Sequence, residues 1–368
     1  MATYYVNAAT GNAGYDGLSE TDLNAAIANR GPKLTIQAAV TAASAGDTIK
    51  VAGNATAYRG ATGGIVINKS LTIEGDGGVI VAPFTDNTVN EPVFDIQVTA
   101  GATLEKVQLK KLKIKNTVAA AAVKSGNYGI KCSLGATANT KLNWLVLEDV
   151  DIVGMGDAGV YLLGGAGTND YFIFTTFRRC VSNANYAEGF YLKNAVGVIF
   201  DTCYAIGNQL SGYRTEACTG ISFLTSAAEN NALSGSANAT YDAQMRLISC
   251  NSATVISCDI EDFTSAGHTS KRGIVVQNSV GTHIGPCNFY NAALNGAADE
   301  RCIYVTYGAG GGNGPNHVTI MPCNVSNVAK FLEVDSGDTN VDAFLPFSRA
   351  GGTPSNVLPT TMHMRSWT

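Results

Sequence analysis

The sequence predicts an all-β protein, a parallel β-helix whose strands stack in successive coils, with a capping helix near the N-terminus. Two observations lead to this prediction. A short apolar segment recurs about every thirty residues, and a second one, often ending in cysteine, recurs with it. A fixed period of about 20 to 50 residues is typical of solenoids and propellers. The segments show no helical periodicity and no propeller signature, which favours the solenoid.

Composition agrees with many short strands around a large core. The chain has 368 residues, of which 45% are apolar and only 14% are charged. It has 41 Gly but only 9 Pro, which indicates frequent tight turns rather than disorder.

Charge and hydropathy exclude some classes of function. A net charge of −5 argues against a nucleic-acid-binding surface. No apolar run approaches the roughly 18 residues that a membrane span requires. The first residues, MATYYVNAATGN, show no signal peptide, so either the protein is not exported by that route or a signal has been removed.

The first recurring segment predicts one strand per coil. Its copies start 30, 30, 31, 53, 29 and 29 residues apart, and they are GIKC 129–132, GVYL 159–162, GFYL 189–192, GISF 220–223, GIVV 273–276, CIYV 302–305 and FLEV 331–334. We interpret the interval of 53 residues as one repeat with an insertion, placed at 226–244. Insertions in solenoids form loops on one face, often the binding face, so we expect this one to wall a groove, with a mobile flap or an oligomer contact as the alternatives.

The second segment predicts a column of buried thiols. Five copies end in cysteine, at positions 180, 203, 258, 287 and 323, and Leu112 and Val150 take the same place in earlier copies. A free cysteine packs as a small apolar residue. The nine cysteines, an odd number at wide spacing, suggest neither a disulfide framework nor a zinc site.

The N-terminal region predicts a cap, because a solenoid needs its open apolar end covered. A helical pattern over 34–47 places Ile36, Ala39, Val40 and Ala43 on one face. We therefore predict a β-helix domain over 1–345, with the cap in 1–63, and a C-terminal cap or tail over 346–368.

The segments YYVNAATGN, TIQAAVTAASAGDTIKVAGNATAYRG and SLTIEGDG resemble the N-terminal part of pectin-lyase-like proteins, which are single-stranded right-handed parallel β-helices. The resemblance continues through the coils to about residue 345. It implies a role with long carbohydrate polymers, since that superfamily contains polysaccharide lyases, glycoside hydrolases and phage tailspikes. Fold alone does not transfer an activity.

The outward position of the first segment carries candidate sugar-binding residues. It is predicted to read Lys131, Tyr161, Tyr191, Ser222, Val275, Tyr304 and Glu333 along the stack. Aromatic rings in such a row provide apolar faces for sugar rings. The alternative is that these tyrosines only pack against the strand surface.

Acidic residues around the cysteine segment suggest glycoside hydrolysis, which uses one protonated and one ionised carboxyl group. The predicted catalytic residues of this kind are Asp201, Asp259 and Asp262, with Arg179, Tyr204 and Glu261 as substrate-binding neighbours. The motif set of polygalacturonases is missing.

A lyase would use different groups. A cation neutralises the carboxylate of a uronate so that a base can remove the neighbouring proton. Arg214 and Lys271 are the predicted catalytic residues for this reaction, with Tyr213, His268 and Arg272 binding substrate, and Ca²⁺ would be the cofactor only in this case. These residues are expected in two loops that face each other on neighbouring coils.

Two classes of function therefore stay open. The first is an enzyme that cleaves a polysaccharide, by hydrolysis or by elimination, without any certain cofactor or metal. The second is a non-catalytic glycan-binding or structural protein of a phage tail or surface adhesin. Both predict an extracellular or virion-associated location, a polysaccharide partner, no nucleic acid and no membrane insertion. A homotrimer is an additional open alternative.

Overall fold

The fold is that of a parallel β-helix, as a computed structural model shows. It describes the chain except for residues 54–56, 61–62, 84–90, 117–124, 136–137, 166–168, 234–242, 262–271, 292–300, 307–316, 327, 329, 335–339, 345–354, 358–363 and 366–368. Two compact units make up the chain, Met1–Tyr186 and Ala187–Thr368.

In the first unit, one helix and two parallel sheets form the structure. The helix α1 is Ile36–Ala42. Sheet A contains β1 Thr3–Val6, β2 Thr48–Val51, β3 Tyr58–Arg59, β5 Leu71–Ala82, β7 Thr103–Leu104, β8 Val107–Lys115, β10 Lys141–Asn143, β11 Leu145–Val153, β13 Tyr171–Arg178 and β14 Val181–Asn183, whereas sheet B contains β4 Ile65–Ile67, β6 Phe94–Ile96, β9 Ile130–Ser133 and β12 Val160–Leu163.

The second unit also has two parallel sheets. Sheet C contains β16 Ala195–Asp201, β17 Tyr204–Ile206, β19 Thr219–Leu224, β20 Ala227–Glu229, β22 Asn251–Ile256, β23 Asp259–Glu261, β25 Val280–Ile284, β26 Asn288–Tyr290, β28 His317–Ile320, β29 Asn324–Ser326, β31 Asn340–Phe344 and β33 Met364–Arg365. Sheet D contains β15 Phe190–Lys193, β18 Tyr213–Glu216, β21 Met245–Ile248, β24 Arg272–Gln277, β27 Arg301–Thr306, β30 Lys330–Val334 and β32 Ser355–Val357.

The predicted coils are confirmed, but one segment was assigned to the wrong sheet. GISF 220–223 lies in β19 of sheet C, so the prediction that Ser222 shares the outward row with Tyr191 is wrong. That place is taken by Arg214 and then by Arg246, which pair in register with Tyr191 and Val275. The interval of 53 residues therefore contains one more coil strand, β21, and β20 lies inside the predicted insertion at 226–244.

The predicted cysteine column is largely confirmed. In the second unit, the register of sheet C aligns Cys203 with Ser226, then Ser226 with Cys258, Cys287 and Cys323. All nine cysteines are buried and free, as expected for small core residues. Cys203 and Cys258 are thus two coils apart, because Ser226 takes the intervening place.

The coils bend at residues with left-handed backbone. In the second unit, Thr202, Thr225 and Ser257 have φ of 50 to 55° at one bend, just before the column of Cys203, Ser226 and Cys258. Each backbone N–H of Thr202 and Thr225 donates to the carbonyl of the next coil, at 3.0 and 3.1 Å. The inter-coil ladder therefore continues through the bend even though the chain direction changes.

The predicted N-terminal helix is present and shorter than its sequence pattern. The Thr35 hydroxyl caps α1 by accepting a hydrogen bond from the Ala38 N–H at 3.1 Å. Ile36, Ala39 and Val40 are buried, in agreement with the predicted apolar face.

Candidate functional site

The outward side of sheet D carries the densest group of charged and aromatic residues described in the second unit. One row reads Tyr191, Arg214, Arg246, Val275, Tyr304 and Glu333 in strand register. Side chains alternate between the two faces of a strand, so these residues lie on the face opposite to their core neighbours. Arg246 and Val275 are nevertheless buried. We refer to this surface, with Glu188, Lys193, Glu216, Arg272, Arg301 and Lys330 beside the row, as the D face.

At one end of the D face, Arg214 lies at the centre of an ionic network. Its Nη1 donates to Glu188 Oε1 at 2.9 Å and its Nη2 to Glu216 Oε2 at 3.2 Å. The guanidinium also lies over the ring of Tyr191, 4.7 Å from the centroid. Lys193 contacts the other oxygen of Glu216 at 2.5 Å. The network brings together two predicted site residues, Tyr191 and Arg214.

This network favours the ionised form of Glu216. Burial by itself raises the pKa of Glu216, but the hydrogen bond from Lys193 and the charge of Arg214 outweigh it, so the pKa lies below its usual value. Burial also lowers the pKa of Arg214, and the neighbouring Glu188 more than offsets that change. The raised pKa of Arg214 favours its charged form, which suits it to neutralising an anion more than to taking a proton.

A second network lies at the other end of the D face. Arg272 and Arg301 lie over Tyr304, 4.8 and 5.5 Å from the ring centroid. Arg301 binds Glu333 through two nitrogens, and Lys330 lies 3.5 Å from the same carboxylate. Burial raises the pKa of Glu333, but the hydrogen bond from Arg301 and both cations lower it overall.

Positive charge prevails on the D face. Its described residues include six cations, Lys193, Arg214, Arg246, Arg272, Arg301 and Lys330, against three carboxylates, Glu188, Glu216 and Glu333. This is an excess of three positive charges in a chain whose net charge is −5. Such a surface attracts an anionic ligand.

Three tyrosines predicted as sugar-binding residues have aromatic or guanidinium groups against their rings. Tyr191 and Tyr304 have guanidinium groups against their rings. In the first unit, Tyr161 stacks on Tyr128 with centroids 4.4 Å apart. Each of these three rings therefore already contacts another side chain. This favours the interpretation that the tyrosines pack against the strand surface over the interpretation that their rings bind sugars.

Sheet C carries three of the predicted acidic residues, Asp201, Asp259 and Glu261. Asp259 accepts a hydrogen bond from Asn288 Nδ2 at 2.6 Å, and Asn324 donates to Asn288 in turn at 2.8 Å. Glu261 pairs in register with Glu229 on the neighbouring coil. Tyr204, which is exposed, lies two coils from Asp259 in the same row. We refer to Glu229, Glu261 and Asp259 as the acidic group of sheet C.

The other predicted residues divide between core, surface and undescribed segments. Tyr213 is fully buried and donates to the Ala227 carbonyl at 3.1 Å, so its predicted contact with substrate is wrong. Tyr213 and Arg214 also lie in strand β18 rather than in a loop. Asp201 pairs in register with Leu224, away from the row of Asp259.

In the first unit, Arg179 pairs with Asp149 at 2.6 Å and with Glu148 at 3.0 Å, as part of a surface ion-pair group. Asp262, His268 and Lys271 lie outside the described residues. Their predicted roles stay predictions.

Sequence reasoning did not select Glu188, Arg246, Arg301 or Lys330. These residues could have been found from the sequence if the spacing between the strands of sheet D had been assigned correctly. Once β18 and β21 are aligned with β15, Arg246 falls in the outward row, and Arg272, Arg301 and Lys330 align at the start of three successive strands.

The D face does not fit a Ca²⁺ ion, which prefers several unshared oxygen ligands. Each of its described carboxylates, Glu188, Glu216 and Glu333, already binds Arg or Lys. Across the described ranges, no three His, Cys, Asp or Glu side chains are grouped to hold a metal.

No protein-family profile and no curated protein matches the chain. Its fold is similar to the Mannuronan C-5 epimerase AlgE4 A-module of Azotobacter vinelandii, with 16% identity, 90% of this chain and 93% of that chain covered and a TM-score of 0.61. It is also similar to the polygalacturonase from Erwinia carotovora ssp. carotovora, with 10% identity, coverage of 99% and 96% and a TM-score of 0.58.

A third similar structure is the gp42 tailspike of Acinetobacter phage vb_AbaP_AS12, with 11% identity, a TM-score of 0.54, and coverage of 87% of this chain and 57% of that one. At such identities the similarity establishes the fold alone. The chain has a right-handed parallel β-helix fold, which the epimerase module, the polygalacturonase and the tailspike share. Within the described residues, no helix is long and apolar enough to span a membrane.

Proposed function

We propose that the chain is a carbohydrate-active β-helix protein that cleaves an acidic polysaccharide bound along the D face. The observation that carries the proposal is the excess of cations among the described residues of this face, in a chain whose net charge is −5. A polymer with a carboxylate on each ring complements a row of cations spaced by coils about 4.8 Å apart.

The reaction that suits this surface is elimination. Arg272 would neutralise the carboxylate of one uronate, which makes the proton on the adjacent ring carbon acidic. A base takes that proton, and the electron pair forms a carbon–carbon double bond. The glycosidic C–O bond breaks with its electron pair on the leaving oxygen, which takes a proton from water to become a hydroxyl group. Lys271 precedes Arg272 in the chain and is the predicted base, while Arg214 would bind a carboxylate rather than take a proton.

A panel of polyuronates and neutral polysaccharides tests this function. We expect ultraviolet-absorbing unsaturated products from a polyuronate, and a loss of at least about tenfold in rate for Arg272→Gln. Arg178→Gln is the matched control, because Arg178 is an exposed arginine of the first unit. Equal rates for wild type and Arg272→Gln, or cleavage of neutral polymers alone, would contradict the proposal.

Hydrolysis is the second candidate reaction, favoured by the aligned pair of Glu229 and Glu261 with Asp259 nearby. One coil spacing, about 4.8 Å, is close to the separation of about 5 Å between the carboxyl groups of retaining glycosidases. New reducing ends without unsaturated products, lost in both Glu229→Gln and Glu261→Gln, would support this reaction. Activity retained in both variants would exclude the pair.

The non-catalytic alternative is a glycan-binding or structural protein of a phage tail, and the tailspike similarity is what favours it. Saturable binding of a glycan without any new product would identify this alternative. Sedimentation of the full chain would show whether a trimer forms.

A further inference from the structure

Two large aromatic side chains are exposed on sheet A of the first unit. Trp144 is 53% exposed and Phe174 is 56% exposed. They align on neighbouring coils, with centroids 6.2 Å apart and ring planes at 61°. Together with Lys106, Gln108, Val146 and Thr176 they line an open depression of about 460 Å³.

The backbone at these two positions has a conformation that large side chains disfavour. Trp144 and Phe174 both have φ of 56°, in the left-handed region. A bulky side chain there costs about 1 kcal/mol relative to glycine. In the second unit, left-handed positions in β16, β19 and β25 are filled by Gly197, Gly220 and Gly281. The fold can therefore make such bends with glycine, and packing does not account for two exposed aromatic residues.

The polar surroundings indicate the chemistry of a ligand. Register places Lys106 beside Trp144 on the preceding coil. Lys106 is exposed, and it has no ion pair within the described ranges. Gln108 and Thr176 add hydrogen-bonding groups to the rim, and Gln108 Oε1 is held by the Thr72 hydroxyl at 3.0 Å. An aromatic face, polar groups at its edge and a free ammonium group match a sugar ring that carries an anionic group.

We infer that Trp144, Phe174 and Lys106 form a non-catalytic subsite that binds one pyranose ring carrying a carboxylate or other anionic group. The apolar C–H face of the ring packs on the aromatic residues, and its anionic group pairs with Lys106. The subsite contains none of the D-face residues and does not depend on whether the D face is catalytic.

Tryptophan fluorescence of the full chain tests the subsite. The sequence has two Trp, so Trp367→Phe leaves Trp144 as the single reporter. The probes are oligosaccharides of galacturonate, alginate and hyaluronate, and the methyl ester of the galacturonate oligosaccharide. We expect a saturable change in emission with at least one acidic probe, and binding of its uncharged form about tenfold weaker.

Variants separate the roles of the residues. Phe174→Ala is expected to abolish the emission change, and Lys106→Gln to weaken binding about tenfold. Lys113→Gln, which removes an exposed charge of the same unit, is the matched control and is expected to bind as wild type. Circular dichroism of each variant checks folding.

Several results would overturn the inference. These are no response to any acidic probe, equal binding of acid and ester, or binding unchanged in Phe174→Ala. An emission change that follows protein concentration without any glycan would instead identify a second copy of the chain as the occupant. The emission response of Arg272→Gln distinguishes the two sites, since a loss of D-face activity leaves glycan binding at Trp144 in place.

Discussion

At the scale of single residues, Tyr213 and Arg214 are adjacent in the sequence but lie on opposite faces of strand β18. Tyr213 points into the core, where it stacks on Phe190 with centroids 5.2 Å apart, while Arg214 points out to Glu188 and Glu216. Alternation along β18 is the cause. One residue therefore supports the fold and the next can bind a ligand.

Replacing Arg214 by Met is expected to destabilise the protein by about 3 kcal/mol, because it leaves the Glu188 carboxylate without its guanidinium partner. The Glu188 side chain is only 8% exposed, so water cannot replace that partner well. Urea unfolding measures the change. Adding Glu188→Gln to Arg214→Met should recover part of the loss, and a variant as stable as wild type would contradict the prediction.

Tyr213→Phe is expected to lower the free energy of unfolding by about 1 kcal/mol, since it removes the buried hydrogen bond to the Ala227 carbonyl. Glycan binding and cleavage should not change, because the hydroxyl is inside the core. A loss of binding with unchanged stability would return Tyr213 to the list of substrate-binding residues.

At the scale of strands and bends, the second unit uses left-handed residues where the chain turns between strands. Thr225 has φ of 50° and is exposed, although a β-branched residue disfavours this conformation. The inter-coil hydrogen bond from its N–H to the Ile256 carbonyl holds it there. Such a bend places a small buried residue, here Ser226, directly after it.

Thr225→Asn is therefore expected to stabilise the protein by about 0.5 to 1 kcal/mol, because asparagine adopts the left-handed conformation more readily. Thermal unfolding measures the effect. The control is Thr254→Asn within strand β22, where asparagine is unfavourable and stability should fall. If Thr225→Asn lowered the stability as Thr254→Asn does, the prediction would be contradicted and the bend would not be strained.

Much of the arrangement of strands in coils could be predicted from the sequence. The period of thirty residues and the thiol column followed from apolar residues that repeat where each coil buries them. GISF 220–223 was misassigned because strands of both sheets show the same alternation after a glycine. MRLI 245–248 was missed because its outward Arg246 interrupts the apolar pattern. Ion pairs between coils, such as Arg301 with Glu333, depend on the register and could not be predicted without it.

At the scale of the whole molecule, ion pairs connect strands in both units. Lys111 hydrogen-bonds Glu74, and Arg179 hydrogen-bonds Asp149, and each bond lowers the pKa of the carboxyl group concerned. In the second unit, Glu216 and Glu333 also have a pKa below the usual value, since their cations outweigh the effect of burial. These carboxylates stabilise the fold only while they are ionised.

Stability is therefore expected to be constant above the unfolded-state pKa of about 4.3 for glutamate and 3.9 for aspartate, and to fall progressively at lower pH as the folded carboxylates become protonated. Urea midpoints measured from neutral to acidic pH test this sign. Glu333→Gln should be less stable at neutral pH and show a shallower decline. A midpoint that rises on acidification would contradict the prediction.

The column of Cys258, Cys287 and Cys323 has a practical consequence for crystallography. Their sulfur atoms lie on successive coils and form no disulfide. An anomalous-difference map of a crystal of this protein would contain a short row of peaks separated by about 4.8 Å. That row would mark the direction of the coil stack before any chain had been traced.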